Sequence, residues 1–298
     1  MRYDVIIAGG GPAGLSAALL LGRCRRKVLV VDAGNPRNAS SAAIHGYLSR
    51  DGMNPAEFLQ LARQEAQGYG VEIREGTVMA VEMCEAPFTV RLLDESVLEA
   101  RKVLLATGVV DRVPSLEGIE KFYGKSVHHC PYCDGWEHSN QAIAAYGRGA
   151  GGTALALAMK AWTRDVVLCT DGASHLKAGE RAKLAHQGID VYERKIKKLD
   201  GTGAQLSLIV FDDGTSLERS AMFFSTGNAQ RSKLPSSMGC EVTHKGAVRT
   251  NRKQQTNVSG IYVAGDASED TQYVIVAAAE GAKAGMQINA DLTAEDQA

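Results

Sequence analysis

The sequence predicts an α/β chain of two three-layer, Rossmann-like nucleotide-binding domains, the second inserted into the first, and three observations predict it. A buried-strand run, a glycine-rich turn and an alanine-rich helix follow one another twice, from Tyr3 to about Arg23 and from Ala142 to about Trp162. Each unit later closes on a similar phrase, VLLATG from Val103 to Gly108 and MFFSTG from Met222 to Gly227. Between opening and closing phrases, each has the alternating runs of a small antiparallel meander, at Val78 to Leu98 and at Leu206 to Leu217. Strand–glycine turn–helix–strand units of this kind build parallel sheets with helices on their faces.

The first unit opens with Tyr3–Ala8, whose apolar run ends at Gly9-Gly10-Gly11-Pro12-Ala13-Gly14; its next strand, Lys27 to Val31, ends at Asp32. A polar loop, Asn35 to Gly52, precedes a helix starting near Pro55. In the second unit Ala142–Tyr146 leads into Gly147-Arg148-Gly149-Ala150-Gly151-Gly152, and its next strand, Asp165 to Cys169, ends near Asp171. A last strand ends in Ala264-Gly265-Asp266, and a long alanine-rich helix follows from about Gln272 to Leu292. That final section has no glycine loop of its own, so it completes the first domain. The expected division is residues 1–115 with 245–298, and 116–244 inserted, with hinges near Val113 to Glu117 and Thr243 to Ala247.

Composition bounds the function classes. The 298 residues suffice for two cores. A formal net charge of -1 leaves no global field to favour nucleic acid or an anionic membrane. The basic runs Arg23 to Lys27 and Arg194 to Lys198 read as solvated ends of elements. No stretch has export character or the roughly 18 apolar residues of a membrane span, so a cytoplasmic protein is expected. Of six cysteines, Cys24, Cys84, Cys169 and Cys240 are isolated and read as small apolar fillers. Cys130 and Cys133 have redox spacing.

Gly9, Gly11 and Gly14 satisfy G-x-G-x-x-G between a strand and a helix, with Pro12 and Ala13 inside the turn. Such glycines allow the turn, admit a pyrophosphate to backbone N–H groups and let helix pack on strand. Asp32 stands where an end-of-strand acid accepts from ribose hydroxyls. Cys130-Pro131-Tyr132-Cys133 can close a small disulfide whose opening needs two electrons. A cysteine at a helix start has its pKa lowered by the amide ends. His128, His129 and His138 offer metal ligands beside it, but zinc usually takes a second Cys/His pair at a distance, so no metal is expected. CPYC is also a glutaredoxin string, though here it lies mid-chain between two nucleotide loops.

The order GGGPAG, LLATG, CPYCDG and IYVAGDA resembles the low-molecular-weight thioredoxin reductase family of FAD flavoproteins over essentially the whole chain. The resemblance implies FAD on the first glycine loop, backed by Ala106, Thr107 and Gly108, with Gly265 and Asp266 at the ribityl chain. Read from the residues alone, Asp266 is equally a loop cap. The resemblance further implies a homodimer, with Cys133 facing the flavin and Cys130 attacking a thioredoxin-like disulfide. Asp134 would protonate the departing thiolate, or else be a helix-terminal carboxylate. His45 and Tyr47 lie in a loop that either reaches over the flavin or is plain surface.

One departure shapes the functional expectation. Where the family carries a His-Arg-Arg cluster for the 2′-phosphate of NADPH, this chain has Cys169-Thr170-Asp171-Gly172. An acid there repels phosphate, and Arg148 is an unusual residue inside the loop. The loop either binds NADH, with Asp171 accepting from the 2′-hydroxyl, or only packs helix on strand. Two subgroups of the superfamily combine an intact FAD site and CxxC with a degraded NADPH site. One is the ferredoxin-linked flavin thioredoxin reductases. The other is the small-molecule dithiol oxidases that pass electrons to oxygen, which His129–Cys133 followed by Gly135-Trp136-Glu137 also resembles. The expected function is an FAD-dependent disulfide reductase of thioredoxin type with a donor such as ferredoxin. The alternatives are a dithiol oxidase and a flavin-binding protein with a non-catalytic CxxC.

Overall fold

The computed structural model describes residues 2–82, 87–268 and 271–298, and Cys84 lies outside them. The chain divides into two compact units: Met1–Ala39, Gly46–Val110 and Ala229–Ala298 in one, Ser40–His45 and Asp111–Asn228 in the other. Residues 229–244, expected in the inserted domain, lie instead with the first unit. Leu234, Met238 and Cys240 are buried in that unit's core, which holds the segment there.

The first unit begins with β1 (Arg2–Ala8), α1 (Pro12–Arg23), β2 (Val28–Asp32), α2 (Pro55–Gln67) and β3 (Glu72–Glu75). It continues through β4 (Val78–Glu82), β5 (Phe88–Leu92), β6 (Val97–Leu105) and β7 (Val109–Asp111). Strands β3, β2, β1 and β6 lie side by side and parallel, while β4 and β5 join antiparallel beyond β6. Alternation along β1 sends Val5 and Ile7 to one face and Ile6 and Ala8 to the other, each into its own core. Helix α2 starts at Pro55 because Asn54 caps it, its side chain accepting from the Ala56 and Glu57 N–H groups.

The second unit holds α3 (Ile119–Phe122), β8 (Val127–His128), α4 (Pro131–Asp134), β9 (Ile143–Tyr146), α5 (Gly149–Met159) and β10 (Val166–Cys169). Then come α6 (Ala178–His186), β11 (Asp190–Tyr192), β12 (Ile196–Thr202), β13 (Gln205–Phe211), β14 (Ser216–Glu218) and β15 (Ala221–Phe224). Its main sheet runs β11-β10-β9-β15-β8, all parallel, and β12-β13-β14 is a separate antiparallel meander. The meander begins at Ile196, earlier than expected. The basic run at 194–198 is therefore the entry to a strand, with Ile196 buried and Lys198 paired to Asp200.

After β16 (Asn228–Gln230) and α7 (Leu234–Ser237), β17 (Ile261–Val263) returns to pair parallel with β6, and α8 (Val274–Asp296) packs on α1. The approach is close: a Cβ on Gly281 would fall on the Ala13 carbonyl, and one on Gly285 would press on Ala17. Leu21, Ile288 and Leu292 are fully buried in this core, each contributing about 2 kcal/mol by removal from water. Among the described residues no helix is long and apolar enough to cross a membrane.

Candidate active site

In the first unit β1 delivers the chain to Gly9, whose φ of +115° favours glycine and whose added Cβ would strike the Ala106 carbonyl. A Cβ on Gly14 would fall on the Gly9 carbonyl, and one on Gly10 would strike the Asp32 carboxylate. Gly11, by contrast, faces open space. The turn is thus closed around three glycines and open at the fourth, just where α1 presents its first amides. Helix α1 has no side-chain cap, and Pro12 fills its first position, where the missing N–H costs nothing. Ala13 is buried behind it.

Three further expected residues flank this opening. Ala106 donates its N–H to the Ala8 carbonyl, Gly108 turns at φ +65°, and between them the Thr107 hydroxyl is buried without a hydrogen-bond partner. A buried orphan hydroxyl is costly unless a ligand answers it. Asp32, at the end of β2, pairs with Arg63 and accepts from the Gly34 N–H at 3.2 Å. Its two oxygens still have lone pairs for a ribose. The open Gly11, the uncapped α1 amides and the orphan Thr107 hydroxyl fit the pyrophosphate and ribose of FAD.

Gly265 and Asp266 follow β17. Gly265 sits so close to Ala13 that a Cβ would overlap it, which brings the turn against the start of α1. Two residues that sequence reasoning missed hold it. Buried Glu280 accepts from the Gly265 N–H (2.7 Å), the Ser268 hydroxyl (3.0 Å) and the Gln254 amide (3.1 Å). Arg37 donates to Asp266 at 2.8 Å and to Gln272 at 2.7 Å. Asp266 is thus an ion-paired carboxylate rather than a simple loop cap.

In the second unit Cys130 and Cys133 form a disulfide with Cα atoms 5.3 Å apart. Cys130 is the N-cap of the four-residue α4, and the Cys133 and Asp134 N–H groups return to its carbonyl at 3.1 and 3.3 Å. Tyr132 and Trp136 are 72% and 78% exposed, so the disulfide is flanked by two solvent-facing aromatics. Asp134 Oδ1 meets His128 Nδ1 at 3.3 Å, and His128 Nε2 meets His138 Nε2 at 3.0 Å. The two histidines face each other and the acid; the sulfurs beside them are bonded together. His129, next to Cys130, lies 3.8 Å from Asp111. His45 approaches Glu137 at 3.4 Å within this unit, while Tyr47 packs on Phe58 in the first.

Burial first, then repulsion from His128, holds His138 below the ordinary histidine range. The unfolded chain therefore binds the proton more readily. The contribution of neutral His138 to stability is present above the ordinary value and lost as pH falls through the folded one. Urea unfolding from neutral to mildly acid pH should show wild type losing more stability than His138→Gln. Equal losses would mean that His138 does not carry the effect.

The remaining cysteines divide. Cys169 and Cys240 are buried, and burial pushes the Cys169 thiol up to about 12. Cys24, expected as an apolar filler, is exposed, because it is the residue where α1 ends.

The second glycine loop is occupied in part by the chain itself. Gly147 and Gly152 touch closely enough that neither admits a Cβ. Arg148 folds over the end of β10, donating from Nε to the Thr170 carbonyl at 2.7 Å and from Nη2 to the Asp171 carbonyl. Asp171 accepts from the Ile196 N–H (2.9 Å) and the Tyr146 hydroxyl (3.2 Å), and Tyr146, half-buried beside that carboxylate, is pushed up to about 12. At the start of α5 the Gly149 N–H donates to the Ser174 carbonyl at 2.8 Å. Buried Ser174 belongs to the loop that follows Asp171.

Residues 3–281 match the model of the pyridine nucleotide-disulphide oxidoreductase family. Thioredoxin reductase tcpT of Claviceps purpurea is 32% identical over 309 residues, covering 98% of this chain and 95% of the relative. The crystal structure of HlmI superposes with a TM-score of 0.96 at 36% identity, covering 99% of this chain and 94% of that one. TrxB of Bacillus anthracis, described as a thioredoxin reductase, superposes at 0.93 with 32% identity and 99% of each chain covered. With the dinucleotide cradle and the CxxC disulfide, these likenesses settle the assignment: the chain belongs to the pyridine nucleotide-disulphide oxidoreductase family, as a thioredoxin reductase-like enzyme whose cofactor is FAD.

Proposed function

We propose that this enzyme passes electrons between FAD and the Cys130–Cys133 pair and on to thioredoxin or a similar disulfide, with a donor other than NADPH, such as ferredoxin. The observation that carries the choice of donor is that Arg148, Asp171 and the Ser174 carbonyl occupy part of the second loop. A pyrophosphate there would compete with the Ser174 carbonyl for the Gly149 amide, and a 2′-phosphate would meet the Asp171 carboxylate. The resemblance to thioredoxin reductases supports cytoplasmic, homodimeric action, and the chain's own residues divide the work.

FAD would be held by Gly9, Gly11, Pro12, Ala13 and Gly14 at its pyrophosphate, Asp32 at a ribose, the 106–108 turn, and Gly265 with Asp266. When bound, it supplies or accepts two electrons at the disulfide. Cys133 would be the sulfur that exchanges electrons with the cofactor. Cys130, freed as thiolate at the start of α4, attacks the partner disulfide, and Cys133 then displaces the reduced partner as the S–S bond re-forms. Asp134 supplies the proton to the departing sulfur.

Anaerobic titration of the purified yellow protein tests the donor. Reduced ferredoxin should bleach the flavin and support thioredoxin reduction, whereas NADPH at millimolar concentration should scarcely bleach it. Rapid bleaching by NADPH would overturn the reading of Arg148 and Asp171. The exposed Tyr132 and Trp136 beside the disulfide favour a second reading, a dithiol oxidase whose small aromatic substrate stacks there. Bleaching by such a dithiol with peroxide formation in air would select it.

A further inference from the structure

Besides the Thr107 hydroxyl, the first unit holds another buried side-chain atom without a hydrogen-bond partner among the described residues. It is Oε1 of Gln230, the last residue of β16. The chain around this amide settles which of its arms is the oxygen. Nε2 donates to the Ala267 carbonyl at 2.8 Å and to the Gly246 carbonyl at 3.0 Å. Only an NH2 group can donate to two carbonyls, so the amide cannot be turned over, and the unanswered atom is an acceptor.

Gln230 also lies between the two turns read above as part of the cofactor's site. Ala267, to which it donates, directly follows Asp266. Its neighbour Arg231 donates its N–H to the Gly108 carbonyl at 3.1 Å and its side chain to the Val109 carbonyl at 3.4 Å. One short segment thus ties the Ala106–Gly108 turn to the Gly265–Ala267 turn. Two unanswered polar atoms belong to this junction: the Thr107 hydroxyl, which can donate or accept, and Gln230 Oε1, which only accepts. A buried carbonyl left in that state destabilises a fold unless something supplies the hydrogen.

We propose that Gln230 is a further cofactor-binding residue, whose Oε1 accepts a hydrogen bond from the flavin half of FAD. The inference rests on the placing of the two turns at FAD. A pyrophosphate cannot answer Gln230, because its oxygens only accept. The ribityl chain, expected at Asp266, is a run of hydroxyls, each able to donate to a carbonyl and to accept from a hydroxyl. It is therefore the part of the cofactor that can satisfy Gln230 and Thr107 together. The adenosine end has its own acid in Asp32. Nε2 of the same amide has a different task, holding Ala267 and Gly246 together whatever is bound.

Gln230→Lys separates the two tasks, since an ammonium keeps donors for both carbonyls and brings no acceptor. Dialysis of the diluted holoprotein gives the FAD dissociation constant, and the ADP concentration that displaces half of the FAD reports on the adenosine half alone. The variant should bind FAD about tenfold more weakly, the scale of one lost hydrogen bond, with ADP binding unchanged. Equal losses for FAD and ADP would overturn the proposal by making Gln230 a strut only, and unchanged FAD binding would overturn it outright. If the lysine chain fails to fold, wild type decides. The side-chain carbonyl carbon of Gln230 should resonate further downfield with FAD bound than with ADP bound, and equal positions would overturn the contact. Asp266→Ala keeps this inference apart from the reading beneath it. Should neither substitution weaken FAD binding, the turns themselves are misplaced; should Asp266→Ala alone weaken it, Gln230 fails while the cradle stands.

Discussion

Cys133→Ser protein keeps its flavin and loses disulfide turnover by at least about a thousandfold, the scale seen when a covalent catalytic group is removed. The reason is stoichiometric. One sulfur cannot hold the two electrons of a disulfide, so the cofactor and the partner are disconnected. The two cysteines fail differently. In Cys133→Ser the remaining Cys130 still attacks a partner disulfide, and with no second sulfur to displace it the mixed disulfide accumulates. Cys130→Ser leaves no attacking sulfur at the start of α4, and no adduct builds up. Mass spectrometry after incubation with oxidised thioredoxin reads the difference. Equal trapping by both variants would reverse or erase the assignment of roles, and turnover in either would remove the disulfide from the mechanism.

Gly14→Ala is the second large effect. Its Cβ would land on the Gly9 carbonyl, with Ile7 behind it, and backbone cannot move aside as a flexible side chain can. Overpacking of this kind costs about 3 kcal/mol, and the displaced turn should lose FAD as well. Gly11→Ala separates the two consequences. Nothing lies within reach of its Cβ, and its φ of −79° suits alanine. Stability should therefore stay near wild type while flavin retention falls, because the methyl group occupies the pyrophosphate's approach. Urea midpoints and the ratio of flavin to protein absorbance measure both. A Gly14→Ala protein as stable and as yellow as wild type would contradict the close packing of the turn.

Both substitutions fall on residues that the sequence marks by local spacing. G-x-G-x-x-G and CxxC are legible because their function needs neighbours along the chain: a turn of a few residues, or two sulfurs on one helical turn. Asp32 and Asp266 were legible for a similar reason, one ending a strand and the other standing in the turn just after one. Glu280, Arg37 and Arg63 were not, since a carboxylate inside α8 becomes a support for Gly265 only after α8 has folded onto α1. Likewise His128 and His138 read in sequence only as possible metal ligands, with no metal expected. Both rings pack on Phe223, far along the chain, His128 stacked and His138 edge-on. For the second glycine loop the sequence left two readings, NADH binding or packing alone, and it does not show that the loop after Asp171 doubles back to the start of α5. The domain boundary was misplaced because residues 229–244 have no strong periodicity, and their allegiance rests on three apolar side chains.

The seating of α8 on α1 bears on biosynthesis. Gly9 to Gly14 leave the ribosome well before the Gly265–Asp266 turn and the Glu280 carboxylate that steadies it. An N-terminal fragment can form β1 and α1, yet it lacks the wall that finishes the flavin's berth. Nascent chains should therefore remain colourless until α8 is released, and cofactor uptake should report that release.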